Sequence, residues 1–449
     1  MSKLKSITLI ALATLIAYVG SLKYGFSQDD WYFLSISVAN NISDVLNFFN
    51  PWSQSGFAFY RPLGTQLYYY LSRLMLGLDS APVGMHIFML IIQSLSAYNV
   101  YRLVGKLTKD SRLAILSGII YASSSAHFLS LYYIAATQQL LAALFSLLAI
   151  NDYLDHKKWR SSFFFLLALL SKEVAVVAPV VMVLSEMRIT GKFNLKKILQ
   201  SMMPVAIVGA LYVALRLTGG LTTQSEYQLI VNGSVLSTLR WYYLFGYGAP
   251  EELVRYGLPR LAINLTGFIR DYGWQGIVTS VGPLLLGLYT LVRLKGRWIY
   301  LGWWLLALMP VIFLKDHRYP HYVDLALIPA ILLLLENQSK RAQLFLSGIL
   351  IAISLVTINL SASTHWTTKR ATQAESAQTV IAARHACDYP SWFVTGAGES
   401  ELQLSYALSL ENGPEVICNR HIQVYYDGVS QGMAPAGSLI MLTEGITGL

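Results

Sequence analysis

The chain has 449 residues, of which 55% are hydrophobic and only 13% are charged, and its mean hydropathy is +0.49. Because soluble domains carry about 25% charged residues, this composition excludes an ordinary soluble protein and indicates a polytopic membrane protein. The formal net charge of +9 does not require a nucleic-acid partner. No basic tract is interleaved with aromatic residues, and basic cytoplasmic loops account for the charge.

Apolar segments of spanning length recur through the first 360 residues. The first follows Lys3 and Lys5 and resembles a signal peptide, but no small-residue cleavage site follows it, so we expect an uncleaved helix. Two segments, 160–171 and 174–187, are short for a bilayer core of about 30 Å and are expected to extend further or to tilt. In all, eleven spans are predicted, at 5–22, 83–104, 112–128, 131–150, 160–171, 174–187, 198–217, 276–294, 298–314, 321–335 and 342–360.

Lys and Arg clusters alternate with these spans. If the N-terminus is cytoplasmic, the basic connections are all cytoplasmic, at 105–111, 151–159, 188–197, 295–297 and 336–341. Two long loops, 23–82 and 218–275, then face outward, together with short turns that include 171–173 and 315–321. Within the first loop, 64–78 is amphipathic and is predicted to lie along the membrane interface. The pattern predicts an all-α integral protein of the plasma or inner membrane.

The tail changes composition at about residue 364 and becomes mixed polar. We therefore expect a transmembrane domain over 1–363 and a small extracytoplasmic α/β domain over 364–449, with strands at 391–395, 415–418 and 438–442. Cys387 and Cys418 match no zinc-binding spacing. A disulfide between them is as plausible as two free thiols, provided that the tail lies outside the cytoplasm.

Two adjacent carboxylates, Asp29 and Asp30, follow the first span directly. A carboxylate at the mouth of a membrane is costly and usually functional. Repulsion between neighbouring carboxylates raises the pKa of one of them, which suits a base that accepts a proton from an attacking hydroxyl or amine. The alternative is a solvated loop end or a helix N-cap.

Cationic side chains gather at span ends on the same predicted face. Arg61, Lys172 and Arg318 outnumber the two aspartates, so a missing anion is implied, and a phosphate fits Arg and Lys. Lipid-headgroup anchoring is the alternative for Arg61, and also for His317 and Arg318. Lys172 could instead form a salt bridge with Glu173, holding a short turn.

A metal is the other explanation for the acidic residues. Asp29, Asp30 and Glu173 could hold a divalent cation through oxygen ligands. The nearby Arg and Lys already supply positive charge, so we expect no metal and no other cofactor.

Four motifs occur in order on the predicted outward face: Asp-Asp-Trp at 29–31, Tyr-Arg-Pro-Leu at 60–63, Ser-Lys-Glu at 171–173 and His-Arg-Tyr-Pro at 317–320. Their order resembles the GT-C superfamily over roughly residues 1–360. These integral-membrane glycosyltransferases use polyprenyl-phosphate sugars. The chain looks most similar to protein O-mannosyltransferases and lipid A aminoarabinose transferases.

The resemblance implies a GT-C fold and a role for each matched residue. Asp29 would be the catalytic base, or would orient the acceptor, with Asp30 supporting it. Arg61, Lys172 and Arg318 would bind the lipid phosphate. The motifs also place three further residues at the donor site: Glu173, His317 and Tyr319.

The reaction implied by the resemblance is an inverting displacement that, outside the oligosaccharyltransferases, generally needs no metal. Expected partners are a polyprenyl-phosphate-sugar donor, membrane lipids and a sugar, lipid or protein acceptor. Two departures leave the acceptor open: Asp30 stands where the mannosyltransferases carry Glu, and the tail does not look like their modules. A transporter or flippase of lipid-linked sugars, and a non-catalytic assembly subunit, are the alternative functions.

Overall fold

The computed structural model describes residues 3–53, 60–218, 233–314, 317–395, 399–426 and 438–442. Parts of both predicted long loops, and Lys315 and Asp316 of a predicted short turn, lie outside these residues. The helices are α1 (Lys3–Tyr18), α2 (Asp29–Ile36), α3 (Ile42–Asn47), α4 (Tyr68–Thr108), α5 (Ser111–Ser123), α6 (Phe128–Tyr132), α7 (Thr137–Leu154), α8 (Lys158–Ser171), α9 (Ala178–Thr190), α10 (Leu195–Thr218), α11 (Ser234–Phe245), α12 (Leu265–Val292), α13 (Trp298–Leu308), α14 (Leu327–Leu335), α15 (Lys340–Thr364), α16 (Trp366–Ala383), α17 (Glu399–Ala407) and α18 (Asn412–Cys418).

Seven helical segments in the described part of the chain are long and apolar enough to cross a membrane: Lys3–Lys23, Leu63–Thr108, Ser111–Tyr132, Ile134–Leu154, Leu195–Thr218, Leu265–Val292 and Lys340–Ala383. The chain is therefore an integral membrane protein, but the predicted count of eleven spans is not confirmed. The helices at four other predicted spans are shorter than these seven segments: α8, α9, α13 and α14 have 14, 13, 11 and 9 residues. Helices that break inside a membrane protein do so where the exposed backbone lines a polar cavity or is buried in protein.

The predicted interfacial segment and the second span form one bent element. A π-helical turn at Leu63–Leu67 leads into α4, whose 41 residues run to Thr108. Gly77 bends this helix with a φ of +71°, a conformation that costs glycine nothing. The amphipathic pattern before the bend therefore belongs to a helix whose tyrosines, Tyr68 and Tyr69, are buried.

The tail forms a three-stranded parallel sheet with the order β2-β1-β3, where β1 is Ser391–Thr395, β2 is Gln423–Tyr426 and β3 is Leu439–Leu442. The strands predicted at 391–395 and 438–442 are confirmed, but the one predicted at 415–418 is wrong. That run belongs to α18, and β2 follows it. A short apolar run such as Val416-Ile417-Cys418 fits a buried helix as well as a strand.

A disulfide joins Cys387 to Cys418, whose Cα atoms are 5.3 Å apart. It links the segment before β1 to the last residue of α18.

Hydrophobic packing joins the tail to the membrane helices. One buried cluster includes Trp31 of α2, Leu131 of α6 and Leu140 of α7, together with Ala374 of α16 and Trp392 of β1. The tail therefore covers one end of the helical bundle.

Predicted cytoplasmic loops contact one another. Lys106 Nζ lies 2.7 Å from Asp155 Oδ1, and Arg188 Nη2 lies 2.6 Å from Glu336 Oε1. Arg297 donates to the carbonyl oxygen of Glu336 at 2.8 Å. Each of these contacts joins loops that are predicted to lie on one side of the membrane, as the alternation of basic clusters requires. Which side that is stays a prediction.

Candidate active site

A cavity of about 620 Å³ lies between the end of the helical bundle and the tail. Its wall comes from distant parts of the chain: α2, the Lys172 turn, the 317–322 segment, α16 and α17. Five residues predicted for the site line it: Asp29, Arg61, Lys172, His317 and Tyr319. The other three, Asp30, Glu173 and Arg318, are not among its lining residues.

The two aspartates open α2 but face different surroundings. The Asp29 side chain is exposed and lines the cavity, and its backbone N–H donates to Tyr133 Oη at 3.0 Å. Asp30 is only 1% exposed; its Oδ2 accepts from the Ser27 N–H at 2.8 Å and its Oδ1 from Tyr69 Oη at 2.6 Å. Burial raises the pKa of Asp30 to about 8. Asp30 therefore braces the start of α2, and Asp29 is the one of the two that lines the cavity.

Arg61 is already neutralised by a carboxylate. Its Nε donates to Glu173 Oε2 at 2.7 Å, its Nη2 donates to Glu173 Oε1, and its Nη1 donates to Gln138 Oε1 at 2.9 Å. The partial burial of Glu173 would raise its pKa, but the charge and hydrogen bonds of Arg61 lower it to about 2. Sequence reasoning considered a Lys172–Glu173 pair; the ion pair in the structure joins Glu173 to Arg61 instead.

Lys172 is a second buried basic residue of the cavity. It follows the end of α8 in extended backbone, at φ −162° and ψ 139°, which turns it out of the helix. The residue is 6% exposed, and its Nζ lies 4.9 Å from the centre of the Tyr322 ring. Among the described residues, no carboxylate forms an ion pair with it. Burial, followed by the charge of Arg61, lowers the pKa of Lys172 to about 7.

The 317–322 segment forms an aromatic wall beside Lys172. The rings of Tyr319 and His321 stack at 5.6 Å, and His321 and Tyr322 lie 4.4 Å apart. His321 is buried, and its Nδ1 has no hydrogen-bond partner among the residues described. Its burial, followed by the charge of Lys172, lowers its pKa. The sequence analysis placed His317 and Tyr319 here but did not assign His321 and Tyr322, which directly follow the motif at 317–320.

Arg318 lies elsewhere. Its charge acts on Arg240 and Tyr242 of α11. The residues on either side of it, His317 and Tyr319, line the cavity, whereas Arg318 does not. In an irregular segment, consecutive side chains point in different directions, so motif order alone could not separate them.

The tail side of the cavity carries residues that sequence reasoning missed. Arg370 and Trp366 come from α16, Tyr406 from α17, and Arg255 from the loop before α12. The available signal was the spacing of Trp366 and Arg370, which puts both on one helix face.

The three carboxylates considered as metal ligands do not converge. Asp30 is buried against Tyr69, and Glu173 is paired with Arg61. Across the described ranges, no group of three or more His, Cys, Asp or Glu side chains could hold a metal ion.

No family model and no curated protein matches the chain. Among solved structures, two of the oligosaccharyltransferase of Archaeoglobus fulgidus are similar, with 12% and 11% identity and a TM-score of 0.47 each. One has a tethered acceptor peptide containing the NVT sequon, and the other is a complex with zinc and sulfate. Each match covers 94% of this chain, which spans 64% and 62% of the two matched chains, about three fifths of their length. At this level of similarity, function has to be argued from the site itself.

Proposed function

We propose that the chain is a GT-C-type membrane glycosyltransferase that transfers a sugar from a polyprenyl-phosphate donor to an extracytoplasmic acceptor. One observation carries the proposal: the exposed carboxylate of Asp29 lines the same cavity, at the end of a membrane bundle, as the buried Lys172, with which no described carboxylate forms an ion pair. A base and a phosphate-binding cation are the two groups that such a transfer needs.

In the proposed reaction, the acceptor hydroxyl attacks the anomeric carbon of the donor sugar. Asp29 accepts the hydroxyl proton as the new C–O bond forms, and the bond between the anomeric carbon and the phosphate oxygen breaks. The leaving polyprenyl phosphate keeps that electron pair, and Lys172 stabilises its charge. A single displacement of this kind inverts the anomeric centre.

The geometry changes the roles expected from the motifs. Arg61 orders the Lys172 turn through Glu173, so we assign the phosphate contact to Lys172, with His317 and His321 beside it. The sequence analysis also considered a divalent cation held by carboxylates. An assay with added chelator tests whether such a metal takes part in the reaction.

A transporter of lipid-linked sugars would also need cations. Its charged residues should follow a path through the membrane. The basic residues of the cavity wall instead gather at one end of the bundle, next to a carboxylate: Arg61, Lys172, Arg255 and Arg370. This arrangement favours transfer over transport.

The test is the Asp29→Asn variant, assayed with a panel of polyprenyl-phosphate sugars with and without chelator. We expect sugar transfer to fall by about 10²–10⁴-fold, because the base is lost, while binding of the lipid donor persists. Asp44→Asn is the matched control and should retain activity, because Asp44 is a half-buried aspartate of α3 that is not among the residues lining the cavity. Full transfer by Asp29→Asn would refute the proposed mechanism, and loss of activity with chelator would require a metal.

A further inference from the structure

A second positive centre lies on the tail side of the same cavity. The Arg370 guanidinium carbon lies 5.2 Å from the centre of the Trp366 ring and 4.8 Å from that of Tyr406. Trp366 is held in turn by a hydrogen bond from its Nε1 to Glu251 Oε1 at 3.1 Å. Cation–π contacts of this kind fix the plane of a guanidinium without neutralising its charge.

The hydrogen bonds of Arg370 also leave its charge unbalanced. Its Nη1 donates to Gln28 Oε1, a neutral amide next to Asp29 in the chain. Its Nε is buried and has no partner among the residues that the structure describes, and no carboxylate there forms an ion pair with it. A half-buried cation with an unused donor is suited to binding an anion.

The position of Arg370 separates it from the lipid phosphate. Lys172 lies between α8 and α9, inside the bundle. Arg370 lies on α16, a polar helix that begins after α15 ends at Thr364 and packs its alanines against the tail. A lipid would reach Lys172 from the bundle, whereas an acceptor arriving from water would meet Arg370 first.

We propose that Arg370, Trp366 and Tyr406 form the acceptor subsite, and that the acceptor is a glycan carrying a carboxylate or phosphate group. This inference rests on the proposed function, since it names the acceptor class of the same site. The guanidinium fork binds the anionic group, and Tyr406, which is 48% exposed, offers its face to the apolar side of a sugar ring. Arg370 is thus a specificity-determining residue, and it is hydrogen-bonded to Gln28, the residue before Asp29.

Binding measurements on the full chain in detergent test this subsite. The probes are a uronic-acid oligosaccharide, its carboxyl-reduced neutral counterpart and a hexose phosphate, each titrated by calorimetry. The variants are Arg370→Gln, Arg370→Lys and, as a matched loss of charge on the same helix, Lys369→Gln, whose side chain is exposed. Thermal melting shows whether each variant is folded.

Wild type and Lys369→Gln should bind at least one anionic probe about tenfold or more tightly than the neutral one, as expected for hydrogen bonds to a charged group. Arg370→Gln should lose that preference, and Arg370→Lys should keep part of it. The stronger of the two anionic probes identifies carboxylate or phosphate as the group recognised. Equal binding of all three probes by wild type, or an undiminished preference in folded Arg370→Gln, would overturn the subsite.

Failure of the proposed function would look different. A chain that binds the acidic probe through Arg370 but transfers sugar from no donor in the panel would keep the subsite and lose the glycosyltransferase. If sugar transfer were equally fast with and without Arg370, the glycosyltransferase would stand and the acceptor subsite would be wrong.

Discussion

Lys172 is the residue whose charge state should govern donor binding. Its pKa of about 7 in the free protein means that it is charged at pH 6 and largely neutral at pH 8. A bound phosphate favours the charged form, so we expect the affinity for a polyprenyl-phosphate sugar to be about tenfold weaker at pH 8 than at pH 6. The donor is a phosphodiester and does not itself titrate in this range.

The matched control for this prediction is Lys172→Arg, because arginine stays charged at both pH values. Its donor affinity, measured by the same titration, should change little between pH 6 and pH 8. Identical pH profiles for wild type and Lys172→Arg would contradict the assignment of the phosphate to Lys172.

Arg61 should matter more for stability than for the donor. Replacing it with Gln leaves Glu173 without its cation, and we expect a loss of about 1–3 kcal/mol. The low end of that range is included because the Glu173 side chain is 39% exposed and therefore screened by solvent. Thermal unfolding in detergent measures the loss.

Donor affinity separates the two basic residues. Folded Arg61→Gln should bind donor nearly as wild type, whereas Lys172→Gln should bind it about tenfold more weakly, as expected for the loss of one charged hydrogen bond. If Arg61→Gln lost donor binding without losing stability, Arg61 would be the phosphate ligand.

Asp30 should make the fold sensitive to rising pH. Burial raises the pKa of its carboxyl from the usual 3.8 to about 8. Between these values the folded chain holds a proton that the unfolded chain releases, so stability falls as pH rises from about 4 to 8. The melting temperature of wild type should therefore drop more across this window than that of Asp30→Asn, which has no proton to lose. If the two melting temperatures changed with pH in the same way, Asp30 would be ionised in the folded protein.

At the scale of elements, α2 is held by the tail. The N–H of Gln28 and the indole N–H of Trp31 both donate to the carbonyl oxygen of Ala407, at 2.9 and 3.1 Å. Ser35 Oγ donates to Asn412 Oδ1 of α18 at 3.3 Å. The tail therefore sets the position of the helix that carries Asp29.

The Cys387–Cys418 disulfide should consequently affect activity as well as stability. It closes a loop with a sequence separation of 31 residues, for which chain entropy gives about 3–4 kcal/mol of stabilisation. The double variant Cys387→Ser/Cys418→Ser should melt earlier and transfer sugar more slowly, because α18 no longer fixes α2. A reducing agent should slow wild type to the same rate and leave the double variant unchanged; full activity of the double variant would separate the tail from catalysis.

At the scale of the whole molecule, hydropathy predicted the class of protein and much of its helix order, because apolar runs must be helical in lipid. It did not predict where α14 begins: the span predicted at 321–335 is helical only from Leu327, after a turn at Pro320–Val323. His321 and Tyr322 of that turn line the polar cavity, which is a tertiary property. The helix at α18 was missed for a related reason, since its short apolar run has no period of its own.

The candidate site was predictable to the extent that function leaves charged residues at span ends. Asp29 and Lys172, which line the cavity, were predicted in this way. Their partners were not, since adjacency in sequence suggested Lys172 with Glu173, whereas folding brings Arg61 to Glu173. Arg370 belongs to the tail, 341 positions after Asp29, and only folding brings α16 to the cavity, where Arg370 donates to Gln28.

The orientation of the molecule in its membrane is open to a direct test, because the chain has only two cysteines. Lys109 lies exposed in the turn before α5, and α5 runs from there toward Leu129 on the cavity wall; Thr379 lies exposed on α16. Basic loops stay in the cytoplasm, so in the Cys387→Ser/Cys418→Ser background an impermeant maleimide should label Thr379→Cys in intact cells, and Lys109→Cys only after permeabilisation. The reverse pattern would put the cavity in the cytoplasm, where an outward-facing acceptor could not reach Asp29.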